Sequence, residues 1–237
     1  MTLPSTPHRP PAPIVALDVS SLDAARALVQ RLGDSADFYK VGLQLYTAEG
    51  PRVVEWLRGA GKRVFLDLKL HDIPNTVRGA AASAAALGVQ LLTVHAIGGS
   101  AMLRAAVDGG GDATGILAVT VLTSMTQGDL EAARGHAVGS VGAEVERLAG
   151  LAAAASAHGI VCAGSEVAAV RVAHGDALRT LVPGIRLGGS PMHDQARVMT
   201  PREAANAGAT YVVIGRTVTA AEDPPAAMRA VLGELNS

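Results

Sequence analysis

The segment Val64-Phe65-Leu66-Asp67-Leu68-Lys69-Leu70-His71-Asp72 sets two carboxylates, an ammonium and an imidazole into an otherwise apolar run. Alternation along a strand puts Asp67, Lys69 and His71 on one face and Leu66, Leu68 and Leu70 on the other. In an antiparallel sheet the charged face could simply meet water. Parallel strands joined by crossover helices are buried on both faces, so acid and base together on an inner face need another explanation. An inward Asp and Lys with a second Asp just beyond them form a charged constellation suited to catalysis.

A second chemistry is anion binding. Pro183-Gly184-Ile185-Arg186 and Ile214-Gly215-Arg216 each join a glycine, which lets a backbone N–H approach an anion, to a forked and permanently charged donor. The long connection from Gly184 to Thr200 contains Gly188, Gly189 and Pro191 and reads as a lid or a disordered loop. Metal chemistry has little support. His71-Asp72 and His193-Asp194 offer ligands, but no His/Asp/Glu set has convincing spacing. No Gly-x-Gly-x-x-Gly follows the first strand, which argues against a dinucleotide cofactor. Cys162, the one cysteine, lies in an apolar run and reads as a core thiol.

The elements that must position these groups alternate regularly. Strand patterns cover 14–19, 38–42, 63–70, 91–95, 115–122, 159–162, 180–183 and 211–214. Helical patterns cover 22–32, 51–59, 75–87, 101–107, 141–158, 166–174, 201–207 and 226–235. Eight βα units predict an α/β fold, a single-domain (β/α)8 TIM barrel; an open doubly wound sheet uses the same units. The alanine-rich stretches 80–86 and 152–155 read as helices with small packing faces. In a barrel the site lies at the carboxyl ends of the strands. There the sequence places Asp18, Lys40, His95 and Thr123, with Arg186 and Arg216 after the last two strands, where phosphate sites are frequent in this fold.

Composition excludes several classes. With 20 Lys and Arg against 21 Asp and Glu, the chain has no bulk charge for a nucleic-acid backbone. No run of 18 strongly apolar residues appears, so no membrane span is expected. Residues 1–12 read as a disordered, proline-rich tail without a signal peptide's apolar core, and 13–237 as the barrel domain of a cytoplasmic protein.

From about Pro13 onward the chain resembles the orotidine 5′-phosphate decarboxylase family. The resemblance rests on Ala16-Leu17-Asp18, Lys40-Val41-Gly42, the long signature from Phe65 to Thr76, Val121-Leu122-Thr123-Ser124-Met125, Pro183 to Arg186, Asp194-Gln195 and Val213 to Arg216. It implies decarboxylation of orotidine 5′-monophosphate to UMP, the last step of de novo UMP synthesis, without cofactor or metal. Carried over by position, Lys69 is the proton donor to the ring carbon, and Asp67 lies beside the departing carboxylate. Lys40 and Asp72 complete an alternating charge network. Asp18, Lys40 and Thr76 contact the ribose, Thr123 and Ser124 the pyrimidine edge. Arg186, Gln195, Gly215 and Arg216 hold the phosphate or close the lid. The resemblance also implies a homodimer in which Asp72 and Thr76 reach into the neighbouring subunit's site.

Two rivals share the scaffold. One is a metal-dependent sugar-phosphate decarboxylase or aldolase of the same barrel superfamily, which has the Asp-x-Lys-x-x-Asp core. The other is a non-catalytic nucleotide-phosphate binding protein. The Leu-Thr-Ser-Met and Pro-Gly-Ile-Arg segments favour the pyrimidine enzyme, and the intact set Asp67, Lys69 and Asp72 favours catalysis.

Overall fold

Short runs of branched apolar residues form parallel strands, and helices with one apolar stripe cover them. The computed structural model describes residues 10–188 and 198–237. The first half of the chain runs β1 (Ala12–Ala16), α1 (Leu22–Leu32), β2 (Phe38–Gly42), α2 (Leu43–Glu49), α3 (Arg52–Gly59), β3 (Arg63–Leu70), α4 (Pro74–Ala86), β4 (Leu91–His95) and α5 (Gly99–Gly110). The second half runs β5 (Gly115–Val119), α6 (Gln127–Arg134), α7 (Val141–Ala154), β6 (Gly159–Val161), α8 (Val167–His174), β7 (Arg179–Ile185), α9 (Pro201–Ala207), β8 (Tyr211–Ile214), α10 (Arg216–Thr219) and α11 (Pro224–Leu235). Each strand pairs in parallel with the next, and β1 pairs with β8 from Ala12↔Tyr211 to Val15↔Ile214. That last pairing closes the barrel and excludes the open sheet.

Alternation sorts the side chains into two cores. Ile14, Phe38, Phe65, Leu91, Leu117 and Leu181 fill the barrel interior. Their neighbours Val15, Tyr39, Val64, Leu66, Leu92 and Val94 point outward into the helical layer. The helices start where the local chemistry predicts. Ser21 caps α1 by accepting the Ala24 N–H, and Thr200 and Glu203 form a reciprocal capping box on α9. The small faces of α4 and α5 allow close approach, so that a Cβ at Gly109 would overlap the Arg78 carbonyl.

Several expected boundaries move. β1 ends at Ala16 and β5 at Val119, leaving Asp18 and Thr123 on the following loops. Lys40 lies in the middle of β2 rather than at its end. α7 stops at Ala154 because the chain reverses through Ser156, whose φ is +57°. The short helices α2, α6 and α10 were not expected. They sit in βα connections whose sequences lack a long apolar period. Cys162 is fully buried. The tail residues 1–9 and the central part of the expected lid lie outside the described residues, while Ala12 already belongs to β1. Among the described residues no helix is long and apolar enough to cross a membrane.

The amino-terminal end of the barrel is closed by polar pairs. Arg63 lies 4.5 Å above the Phe38 ring and binds Asp37, while His158 and the Tyr211 hydroxyl are 2.9 Å apart. Burial, with the nearby Arg179 charge, pushes the His158 pKa down to about 4. The folded protein therefore refuses a proton that the unfolded chain accepts below about pH 6.5, and stability falls as pH drops through that window. Urea denaturation at pH 7 and pH 4.5 should show this: a His158→Gln variant is expected to lose about 2 kcal/mol less than the parent between the two pH values. Equal losses would remove His158 as a source of acid lability.

Candidate active site

One cavity of about 260 Å³ at the carboxyl ends of the strands is lined by Asp18, Lys40, Asp67, Lys69, Thr123, Arg186, Gly215 and Arg216. Eight of the sequence-predicted residues therefore meet in one place. Its wall is partly apolar, with Val119, Val121, Leu122 and Pro183 among the lining residues. Such a mix of apolar wall and few convergent polar groups is what small-molecule sites present.

The chemical end is a chain of alternating charges drawn from β2, β3 and the loop after β1. Lys40 Nζ is 2.9 Å from Asp18 Oδ1 and 3.8 Å from Asp67 Oδ2, and Lys69 Nζ is 2.8 Å from Asp67 Oδ1. The Asp67 side chain is only 13% exposed and that of Lys40 12%, so each ion has given up most of its water. Ions this dry persist only when paired and hydrogen-bonded. A third donor is the fully buried Thr93 hydroxyl, which donates a hydrogen bond to Asp67 Oδ1 at 2.9 Å.

The backbone is bent to make this possible. Lys69 has φ +51°, a left-handed conformation that costs a non-glycine residue roughly 1–3 kcal/mol. Around it the β3–β4 ladder jumps from Leu66↔Leu92 to Leu70↔Val94, a bulge of the kind that re-aims side chains beside sites. Alternation holds through Leu70 and fails at His71. Asp67 and Lys69 do face the cavity, and Leu66, Leu68 and Leu70 do pack toward the helices. His71, expected on the inner face, is exposed and lies with its ring 5.7 Å from that of His95. The His95 pKa is lowered by burial first, then by His71 and Lys69, with Asp67 opposing.

The opposite end of the cavity carries the arginines. β7 has its own register break between Val182 and Ile185, with Gly184 at φ +79°. Glycine reaches this conformation without steric cost. Arg186, just past the bulge, is buried and donates from Nη1 to the Ile185 carbonyl at 3.3 Å. The exposed Arg216 opens α10, after Gly215. Thr217 Oγ1 also donates to the Ile185 carbonyl, at 3.3 Å, tying the ends of β7 and β8 together.

The remaining predicted residues stand apart. Thr123 lines the cavity, whereas Ser124 is exposed and does not. Asp72 and Thr76 are exposed and absent from the lining, and Asp72 Oδ1 accepts the Ile73 N–H at 2.6 Å. Gln195 lies outside the described residues. Among the described residues no group of three or more His, Cys, Asp and Glu side chains is arranged to hold a metal ion.

Sequence reading gave no role to Thr93, nor to Gly42 beyond its place in the Lys40-Val41-Gly42 motif. Thr93 could have been found by extending alternation along β4, where Leu91, Thr93 and His95 share the inner face. Gly42 pairs with Asp67 across β2 and β3, and a Cβ there would stand 2.9 Å from Lys40 Nζ. Its φ of −95° carries no strain, and the obstructing atom ends a flexible side chain. Gly42→Ala is therefore expected to fold with a Tm within about 3 °C of the parent but to open the Lys40–Asp18 contact. A crystal structure of the variant with Lys40 Nζ unmoved would refute this.

Comparison with known proteins agrees with the geometry. Residues 11–231 match the family described as "Orotidine 5'-phosphate decarboxylase / HUMPS family". The chain is 52% identical over 223 residues to the orotidine 5′-phosphate decarboxylase of Anaeromyxobacter dehalogenans, covering 93% of this chain and 96% of that one. It is 48% identical over 233 residues to the enzyme of the same name from Moorella thermoacetica, covering 94% and 91%. The crystal structure of orotidine 5′-phosphate decarboxylase from Lactobacillus acidophilus superposes with a TM-score of 0.86 at 36% identity, covering 97% of this chain and all of that one. A closed eight-stranded barrel with Asp67, Lys69, Arg186 and Arg216 around one cavity, and these likenesses over nearly its whole length, make this chain a member of the orotidine 5′-phosphate decarboxylase / HUMPS family.

Proposed function

We propose that the protein decarboxylates orotidine 5′-monophosphate to UMP and carbon dioxide, the last step of de novo UMP synthesis, in the cytoplasm and without cofactor or metal. The observation that carries the reading is Lys69 Nζ held 2.8 Å from Asp67 in a cavity whose far end bears Arg186 and Arg216. The barrel, which begins with β1 at Ala12, does this work.

Breaking the bond to the carboxylate leaves an electron pair on a ring carbon that cannot readily delocalise it. A fixed ammonium beside that carbon stabilises the charge as it develops, and costs no reorganisation at the moment of reaction. Lys69 then transfers its proton to the same carbon, giving UMP, and regains one from solvent. Asp67 holds Lys69 and faces the substrate carboxylate, while Lys40 and Asp18 orient the ribose. Thr123, which lines the cavity, is the better placed of the two candidates to meet the pyrimidine edge; Ser124 is exposed. Arg186, Gln195, Gly215 and Arg216 hold the phosphate. Its binding energy, spent far from the breaking bond, fixes the ring against Lys69. Loss of orotidylate absorbance on adding protein in excess chelator tests the reading directly. Full turnover is expected there, and Lys69→Ala should abolish it while UMP still binds. Turnover only with added divalent metal would favour a metal-dependent sugar-phosphate enzyme, and binding without turnover a non-catalytic protein.

The reading extends to a homodimer with shared sites. Asp72 and Thr76 are exposed and outside their own cavity, which fits residues that serve a neighbour. Beside them Ile73 is 67% exposed, and Leu43 and Ile97, after the adjacent strands β2 and β4, are 54% and 47% exposed. Apolar side chains clustered at one rim need a cover, and a second copy supplies it. Thr76 then reaches the ribose of the partner's substrate, and Asp72 joins the partner's charge network. Mixing inactive Lys69→Ala and Asp72→Ala chains should restore activity to at most about one quarter of the parental level, because random pairing gives half hybrids with one intact site each. Hybrids that form and stay inactive would refute the sharing.

A further inference from the structure

We propose that Thr93 is a positioning residue for the decarboxylation: its hydroxyl couples the Asp67 carboxylate to the left-handed backbone of Lys69 and so sets where the Lys69 ammonium stands. The inference rests on the decarboxylase reading for its effect on turnover, and on geometry alone for the coupling.

Thr93 is on the inner face of β4 and completely buried. Its Oγ1 lies 2.9 Å from Asp67 Oδ1 and 2.9 Å from the Lys69 backbone nitrogen. The direction of both bonds follows from chemistry. An amide N–H only donates and an ionised carboxylate only accepts, so the hydroxyl oxygen accepts a hydrogen bond from the Lys69 N–H and its O–H donates one to Asp67. One oxygen therefore fixes two separate things, the main chain of Lys69 and the carboxylate atom that Lys69 Nζ contacts at 2.8 Å.

The bulge explains why a side chain is needed. Between Leu66↔Leu92 and Leu70↔Val94, β3 has three intervening residues where β4 has only Thr93. The regular ladder cannot serve the Lys69 N–H there, and the Thr93 hydroxyl receives it. Without that acceptor the Lys69 N–H loses this hydrogen bond at φ +51°, a conformation that Lys69 adopts only under constraint. Asp67 would also lose one of the donors that offset its burial. Valine has threonine's shape without the hydroxyl, and serine keeps the hydroxyl.

The test combines turnover of orotidine 5′-monophosphate with amide hydrogen exchange at Lys69, followed by NMR in the full chain. For Thr93→Val, kcat is expected to fall roughly tenfold to a hundredfold with KM within about twofold of the parent, as for an interaction that acts on the chemical step. The Lys69 amide should exchange at least about tenfold faster, and Thr93→Ser should restore both readouts. If Thr93→Val does not fold, Thr93→Ala is read by the same criteria. A folded variant lacking the hydroxyl with parental kcat, an unchanged Lys69 amide, or a loss of kcat that serine does not restore would each overturn the proposal. An inactive parent would overturn the decarboxylase reading instead, and the exchange measurement would then decide the coupling by itself.

Discussion

A carboxylate almost out of reach of water, inside a barrel whose other interior residues are largely apolar, is the constraint around which this molecule is arranged. Asp67 cannot stay ionised there unless its lost hydration is replaced by fixed partners. Lys40, Lys69 and Thr93 supply them from β2, β3 and β4. Each partner brings a further requirement. Lys69 must come from the same strand two residues on, which takes a left-handed backbone and a broken ladder. Lys40 needs a glycine two residues on to leave room for its ammonium, and Asp18 to share its charge. The result is a preorganised field in which no group needs to move far as charge develops on a substrate.

The two ends of the cavity are built by the same device. One register break lies at β3–β4 beside the ammonium, the other at β7–β8 beside the arginines. Regular parallel strands would continue the alternation of inward and outward side chains without interruption. A bulge allows a strand to change its aim where the interior opens toward the ligand. Between these ends the apolar floor formed by Phe65, Leu91 and their neighbours fills the barrel, and the cavity lies above it. The barrel therefore separates roles by height: packing below, chemistry above.

The same separation shows in the titrating groups. His158, at the amino-terminal end, is kept neutral by burial and serves only to close the floor with Tyr211. His95, at the opposite end, has its pKa lowered by burial and by its neighbours His71 and Lys69, yet also feels Asp67. Identical side chains on one scaffold thus differ in consequence because of the layer they occupy. The exposed rim from Asp72 to Thr76 has the opposite character, polar and apolar groups together in water.

Much of this was legible in the sequence, because hydrophobic periodicity is local and each βα unit repeats it. The number and order of the strands, the starts of α1 at Leu22 and of α9 at Pro201, and the inward placement of Asp67 and Lys69 needed only neighbouring residues. Closure of the barrel did not follow from periodicity, since an open sheet has the same pattern; it is the pairing of β1 with β8 that decides it. The bulges were equally hidden. A register break depends on how two strands meet, and nothing within residues 63–71 announces that Lys69 adopts a positive φ or that His71 turns away. Alternation along β4 puts Thr93 on the inner face but does not say what it touches. Its importance arises from contact with residues twenty-four and twenty-six positions earlier in the chain, which only the tertiary structure brings within 2.9 Å.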